Sequence, residues 1–260
     1  MREDRSLFIN QIKFEVAGFG HGKIKVKDMD DIQVLWEDNH LLGINKPGGW
    51  LVQGDETGDP TLLDWAKEYI KVRYNKPGDV FLGLVHRLDR PVSGVVVFAR
   101  TSKALTRMNK LFQSREVKKT YVCLTTARPD PILGKLTHYI SKDRSRNKAK
   151  AYASESNRAR ETGAKESVLE YELIGEIGGR FLIRVHPHTG RPHQIRVQMS
   201  ELGCPIFGDT KYGSPLAISD GTICLHSLSL ELVHPVKKEP IQIKAELPDN
   251  PIWAKFAELV

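Results

Sequence analysis

From residue 32 onward the chain alternates short apolar runs with turn-forming residues, and helical periodicity breaks in at only a few places. Residues 32–36 and 40–45 have strand length and composition. Lys46-Pro47-Gly48-Gly49 then reads as a turn, because Pro fixes one dihedral and Gly admits a positive one. Leu62, Leu63, Trp65, Ala66, Tyr69 and Ile70 recur at helical spacing behind Pro60 and Thr61, which predicts a helix with Thr61 as N-cap. Residues 95–99 form a short apolar strand, and Ala104, Leu105, Met108, Leu111 and Phe112 share one face of a helix over 102–112. Further strands are predicted at 121–126, 168–177, 181–186, 222–232 and 241–247, with a helix at 193–202 and another near the C-terminus.

Two segments stand outside this pattern. Residues 1–31 carry an alternating stretch at 8–16, a Gly-rich turn at 18–22 and a basic end at 23–27, and read as a hairpin extension. AGFGHGK within it is no phosphate loop: Ala17 stands where the first Gly should be and Ile24 where a magnesium-binding hydroxyl should be. The second segment, SKDRSRNKAK at 141–150, has five basic residues against one acid and continues through Arg158 and Arg160. Lacking large apolar groups, it reads as a solvated loop outside the core that would order on a polyanionic partner.

Composition narrows the class of protein. At 260 residues the chain can bury one large core or two small ones, and no repeat or low-complexity tract points elsewhere. Thirty-nine Lys and Arg against 32 Asp and Glu give a net charge of +7, which suits a polyanionic partner. Cys123, Cys204 and Cys224 are odd in number, widely spaced and set among apolar neighbours, which argues against a disulfide framework and a closed zinc site. No apolar run has membrane-spanning length, MREDRSLF lacks the shape of a signal peptide, and no sustained heptad demands a partner subunit. A monomeric cytoplasmic protein is expected.

The chemistry concentrates in LVHRLDRPVSGVVVFAR, residues 84–100, where Asp89 sits between Arg87 and Arg90 and close to His86. Taken alone, this string is either a surface ion pair ahead of a strand or a carboxylate kept ionised for use as a nucleophile. Other blocks accompany it. Residues 187–198 read PHTGRPHQIRVQ and precede Gly203, Pro205, Gly208-Asp209 and Tyr212-Gly213; upstream lies VLWEDNHLLGINKPGGWLVQ at 34–53. Lys119-Thr120-Tyr121 and Leu225-His226 complete the set. Together these blocks resemble the RluA-type pseudouridine synthases, whose signature HRLDRxTSG is matched except at Val92, where Thr is common. The resemblance covers about residues 32–247.

That resemblance implies an α+β fold: a large mixed, mainly antiparallel sheet flanked by helices and loops around a central RNA-binding cleft. It implies a catalytic domain over 32–247, with 1–31 an extension and 248–260 a C-terminal helix packed on that domain. Some relatives carry a separate small RNA-binding domain before the first block, which 31 residues are too few to hold. The implied activity is isomerisation of uridine to pseudouridine in ribosomal or transfer RNA, with no cofactor, no metal and no nucleotide. Asp89 would attack the sugar or assist departure of the base, with Arg196 pairing with it. Tyr121 would stack on the flipped uracil and help remove the C5 proton, Leu225 would close the other face, and Arg87 would fill the space the nucleotide leaves. His86, Arg90, Lys119, Arg191, His193, Gln194, Arg144, Arg146 and Lys148 are the further expected RNA contacts, with His86, His193 and Gln194 equally readable as holding loop shape. Two other classes compete. A glycosidic hydrolase would want a second carboxylate, which only Asp209 in its turn-like Gly-Asp setting could supply. A non-catalytic RNA-binding module would need the basic surface but not Asp89, Tyr121, Arg196 and Leu225 together.

Overall fold

Every residue of the strand Ser93–Ala99 is buried, as expected of a strand covered on both faces. The structure, a computed structural model, describes residues 32–143 and 145–260. The hairpin expected within 1–31 and the RNA contact expected at Arg144 lie outside the described residues. In chain order the elements are β1 (Gln33–Glu37), β2 (Leu41–Lys46), α1 (Leu62–Arg73), β3 (Gly83–Leu84), β4 (Ser93–Ala99), α2 (Ser102–Gln113), β5 (Lys118–Thr125), β6 (Leu133–Asp143), β7 (Lys148–Tyr152), α3 (Asn157–Glu161), β8 (Lys165–Ile177), β9 (Arg180–Pro187), α4 (Gln194–Glu201), β10 (Leu225–Val233) and β11 (Pro240–Lys244). The strands form one 11-stranded sheet ordered β1-β2-β4-β10-β5-β9-β8-β6-β7, with β3 on β4 and β11 on β10. The fold is α+β, as expected.

The described strands pair antiparallel except at the centre, where β4 and β10 run parallel through His226↔Ser93 and Ser227↔Gly94. This seam sets the start of β10 beside the loop that enters β4. On the other side of β10, Leu225 pairs with Cys123 and Ser227 with Tyr121. Directly opposed residues share a face, and so do residues two apart, so Tyr121 and Leu225 lie on the same side of the sheet.

Helices cover that side. Thr61 caps α1 through a capping box: its hydroxyl accepts from Asp64 N at 3.2 Å and Asp64 Oδ2 accepts from Thr61 N at 3.3 Å. Leu62, Trp65, Ala66 and Ile70 then face the core, as their spacing predicts. Ile195 and Met199 of α4 join the same apolar cluster as Cys123, Ile183, Val185 and Leu225. Behind the sheet Val122, Leu124, Leu182 and Cys224 pack on Trp253 and Phe256. The C-terminal helix is a 3-10 turn, Ala254–Leu259, led in by Asn250 Oδ1, which accepts from Ile252 N and Trp253 N.

The basic segment 141–150 is not a loop. It spans the end of β6, a tight turn and the start of β7, with Ser141↔Lys150, Lys142↔Ala149 and Asp143↔Lys148 in register. Asp143 Oδ1 closes the turn by accepting from Ser145 N at 2.9 Å and Arg146 N at 3.2 Å. Nor is it wholly outside the core, since Ala149 and Ala151 pack with Ile140, Val197 and Tyr212. Alanine every second residue among lysines leaves only a faint apolar alternation, which is why the strand was masked.

Gly94 makes the parallel seam possible. Its φ is +111°, and a Cβ there would overlap the backbone of Ser227. Gly94→Ala is therefore expected to destabilise the fold by about 3 kcal/mol or more in urea denaturation. Gly54→Ala, where nothing lies within 4 Å, should change stability by less than about 0.5 kcal/mol.

Candidate active site

The loop carrying Asp89 is held from beneath by a lysine. Lys46, fully buried at the end of β2, donates to Pro47 O at 2.9 Å, Trp50 O at 2.8 Å and Arg90 O at 3.1 Å. Burial pushes its pKa down to about 7, against the pull of Asp89 in the opposite direction. Gly49 N also donates to Arg90 O, at 2.8 Å, and the Arg90 side chain reaches Gly49 O at 3.0 Å and Asp59 at 2.7 Å. Val92 N closes a turn onto Asp89 O at 3.1 Å. On the entering side His86 Nε2 accepts from Val97 N at 3.1 Å, and its ring stacks on Phe112. Burial lowers the His86 pKa to about 4, which keeps the ring neutral and able to accept.

Arg196, buried on α4, binds two carboxylates at once. Its Nη1 lies 3.0 Å from Asp89 Oδ2, while Nε and Nη2 grip Asp209 at 2.6 and 2.8 Å. The guanidinium is desolvated, but the two carboxylates outweigh that and raise its pKa. Asp89 Oδ1 makes no hydrogen bond among the described residues and faces His193 Nε2 at 4.0 Å. His193 occupies the left-handed region, φ +54°, at the N-cap of α4. Burial lowers its pKa to about 4 despite the pull of Asp89.

Above Asp89 lies a pocket of about 120 Å³ walled by Arg87, Val92, Tyr121, Ile195 and Leu225, among others. Burial pushes the Tyr121 phenol up to about 12, so it stays neutral. The pocket opens into a groove of about 1210 Å³ whose rim carries Arg87, Arg115, Lys119, Lys142, Arg191 and Lys211. Lys119 donates to Thr189 O at 3.0 Å, and burial, followed by repulsion from Arg115, lowers its pKa to about 8.

The structure thus gathers Asp89, Tyr121, Arg196, Leu225, Arg87, Lys119, Arg191 and His193 around one pocket. Three expected RNA contacts are otherwise engaged. Gln194 is buried, accepting from Thr189 Oγ1 at 2.7 Å and Arg191 N at 3.0 Å and donating to Val168 O at 3.1 Å. His86 holds the loop to β4, and Arg90 is paired with Asp59. Arg146 and Lys148 are exposed on the β6–β7 hairpin. Val92 N closes the turn onto Asp89 O, and its side chain is core.

Lys46, Asp209, Tyr212, Lys142 and Lys211 escaped the sequence reading. Asp209 looked like part of a turn, and it is: it caps a 3-10 helix, Thr210–Tyr212, yet is only 2% exposed. A charged residue one glycine beyond the apolar Ile206-Phe207 pair was the available signal.

A carboxylate under a pocket walled by Tyr121 and Leu225, opening on a basic groove, is an arrangement suited to chemistry on a polyanionic substrate. Comparison with known proteins agrees and is more specific. The sequence profile of the family described as RNA pseudouridylate synthase matches residues 40–201. The chain is 30% identical over 222 residues to the ribosomal large subunit pseudouridine synthase C of Buchnera aphidicola subsp. Acyrthosiphon pisum, covering 83% of this chain and 67% of that one. It is 30% identical over 257 residues to the synthase C of Rickettsia typhi, covering 95% and 81%, and 30% identical over 206 residues to the synthase D of Borreliella burgdorferi, covering 77% and 61%. The structure of human RNA pseudouridylate synthase domain containing 4 superposes with a TM-score of 0.68 at 26% identity, over 83% of this chain and 88% of that one. The chain belongs to the RNA pseudouridylate synthase family and is an isomerase. Neither the hydrolase nor the non-catalytic reading is favoured, and Asp209 is committed to Arg196 rather than free as a second acid.

Two expectations follow. Asp209→Ala leaves Arg196 buried with half its compensation, and a loss of about 3–5 kcal/mol in chemical denaturation is expected. His226 is fully buried, with Nδ1 2.8 Å from Ser93 Oγ, and burial lowers its pKa to about 4. Below pH 6.5 the unfolded chain takes up a proton there that the folded chain refuses. Stability should be full above pH 6.5 and fall toward pH 4, by up to about 1.4 kcal/mol per pH unit from this residue. Urea melts of His226→Gln between pH 7 and 5 should show a correspondingly shallower slope than wild type.

Proposed function

We propose that this enzyme converts uridines of large-subunit ribosomal RNA to pseudouridine, with Asp89 as the nucleophile. One observation carries the mechanism: Asp89 Oδ2 is held by Arg196 while Oδ1 is left free toward the pocket between Tyr121 and Leu225. The address on ribosomal RNA rests on the names of the relatives.

The target uridine must leave its stack, at a cost of a few kcal/mol. Tyr121 offers a flat face to the uracil, Leu225 closes the opposite side, and the exposed Arg87 guanidinium enters the vacated position in the RNA. Attack on C1′, or charge stabilisation there as the base departs, suits a carboxylate paired with and aimed by an adjacent guanidinium. The C1′–N1 bond breaks, the uracil turns within the pocket, and a C1′–C5 bond forms. N1 gains a proton and C5 loses one, so the reaction balances within the substrate. Burial keeps the Tyr121 hydroxyl protonated, and on this reading it relays that proton.

Lys119, Arg191, Lys142 and Lys211 along the groove, with Arg146 and Lys148 on the hairpin, meet phosphates and set affinity without reading sequence. We assign the catalytic unit to 32–247, with 1–31 as an extension and 248–260 as a buttress behind the sheet. Among the described residues no helix is long and apolar enough to cross a membrane. A cytoplasmic monomer accords with three buried free thiols and a basic, RNA-seeking surface.

The test is tritium release from [5-³H]uridine-labelled large-subunit ribosomal RNA. Wild type should release tritium, and Asp89→Asn should fall to background while binding the RNA within a few-fold of wild type in a filter assay. Release by Asp89→Asn would refute the nucleophile; release from labelled transfer RNA alone would refute the address.

A further inference from the structure

The hydrogen bonds around Tyr212 fix which nitrogen of His193 carries its proton. Tyr212 Oη accepts from Ala149 N at 2.7 Å and lies 2.8 Å from His193 Nδ1. The phenol is buried, and its own proton has no other acceptor among the described residues, so it goes to Nδ1; leaving it unpaired would cost about 1–3 kcal/mol. Nδ1 therefore accepts and Nε2 carries the hydrogen. The opposite tautomer would also point an Nε2 lone pair at the Asp89 carboxylate, so a second argument selects the same form. Nε2–H faces Asp89 Oδ1, the oxygen Arg196 leaves free, at 4.0 Å. That gap is about an ångström longer than a hydrogen bond, of the kind that closes when substrate seats.

The backbone is consistent with a purpose for this imidazole. His193 sits at φ +54°, ψ 22°, a conformation in which Asn would be at least as comfortable. Tyr212 in turn is tied to the basic hairpin. Ala149 N holds its hydroxyl, Lys148 Nζ lies 5.6 Å from the centre of its ring, and Lys211 donates to Asn147 O at 2.7 Å. Asp209, the other anchor of Arg196, immediately precedes this turn.

We propose that His193 is a positioning residue for Asp89, its Nε2–H steering the free carboxylate oxygen, and that the β6–β7 hairpin sets its tautomer through Tyr212. The hairpin on which RNA phosphates seat is thereby joined to the oxygen that attacks. This rests on Asp89 being the nucleophile, as proposed above.

The test combines imidazole ¹⁵N NMR on histidine-labelled protein with the tritium-release assay on large-subunit ribosomal RNA. His193, assigned by loss of its signals in His193→Asn, should be the Nε2–H tautomer in wild type. Tyr212→Phe should abolish that preference, and Asp89→Asn should shift the Nε2 resonance. In turnover His193→Asn tolerates the left-handed backbone but is too short to reach Asp89, whereas His193→Gln keeps an amide donor of suitable length. The Asn variant should lose about ten-fold in kcat with KM within about two-fold, and Gln should recover most of it. A purely structural role predicts the reverse order, Asn above Gln. Nδ1–H in wild type, an unchanged tautomer in Tyr212→Phe, or no shift in Asp89→Asn would each overturn the proposal. Should wild type release no tritium, the substrate reading fails, while the NMR arm still decides the link from Tyr212 through His193 to Asp89.

Discussion

The Arg196 guanidinium, shared between Asp89 and Asp209, is the interaction on which the site depends. A buried cation is tolerable only if its charge and its donors are met, and Asp209 meets two of those donors in a side-on grip that leaves Nη1 for Asp89. The arrangement is asymmetric in a useful way. One carboxylate is wholly buried and serves as ballast; the other is about 29% exposed at its side chain and keeps an oxygen toward the pocket. A single arginine thus pairs with Asp89 and aims it, and its own position is fixed by a carboxylate buried away from the pocket.

The sheet supplies the second constraint. Parallel pairing of β4 with β10 in an otherwise antiparallel set puts Leu225 beside the loop entering β4, and antiparallel β5 then delivers Tyr121 to the same face. Such close approach requires Gly94 at the seam. Lys46 locks the loop from below by tying Arg90 O to the turn after β2, so two stretches far apart in the chain are fastened together through one buried ammonium. Electrostatics is layered over this frame: neutral, buried His226 braces the seam and neutral His86 ties the loop to β4, while the exposed cations line the groove.

Much of this was legible in the sequence. The helices at 62–73 and 102–113 and most strands emerge from periodicity because each buries one continuous stripe, and Thr61 marks its helix start by chemistry that acts within four residues. Asp89, Tyr121, Arg196 and Leu225 stand out through motif blocks that resemble a known family. What stayed hidden depends on contacts between residues far apart in the chain. Nothing local shows that Lys46 meets Arg90 O, that Asp209 belongs to Arg196 rather than to its own turn, or that Gln194 points inward to Val168. The hairpin at 141–152 was hidden for a different reason: its buried positions are alanines, too small to register as an apolar stripe until Val197 and Tyr212 pack against them.

The sequence by itself therefore determined most of the local elements and the basic balance of charge, since propensity, capping and composition act over a few neighbouring positions, while its motif blocks picked out residues that gather at the pocket. Only the tertiary structure decided which carboxylate is free and which is committed, which donors and acceptors meet, and which lysines face the groove. Those outcomes follow from burial and from the geometry of pairing between distant strands, and a hydrogen bond or a pKa takes its value only once its partners have been brought into place.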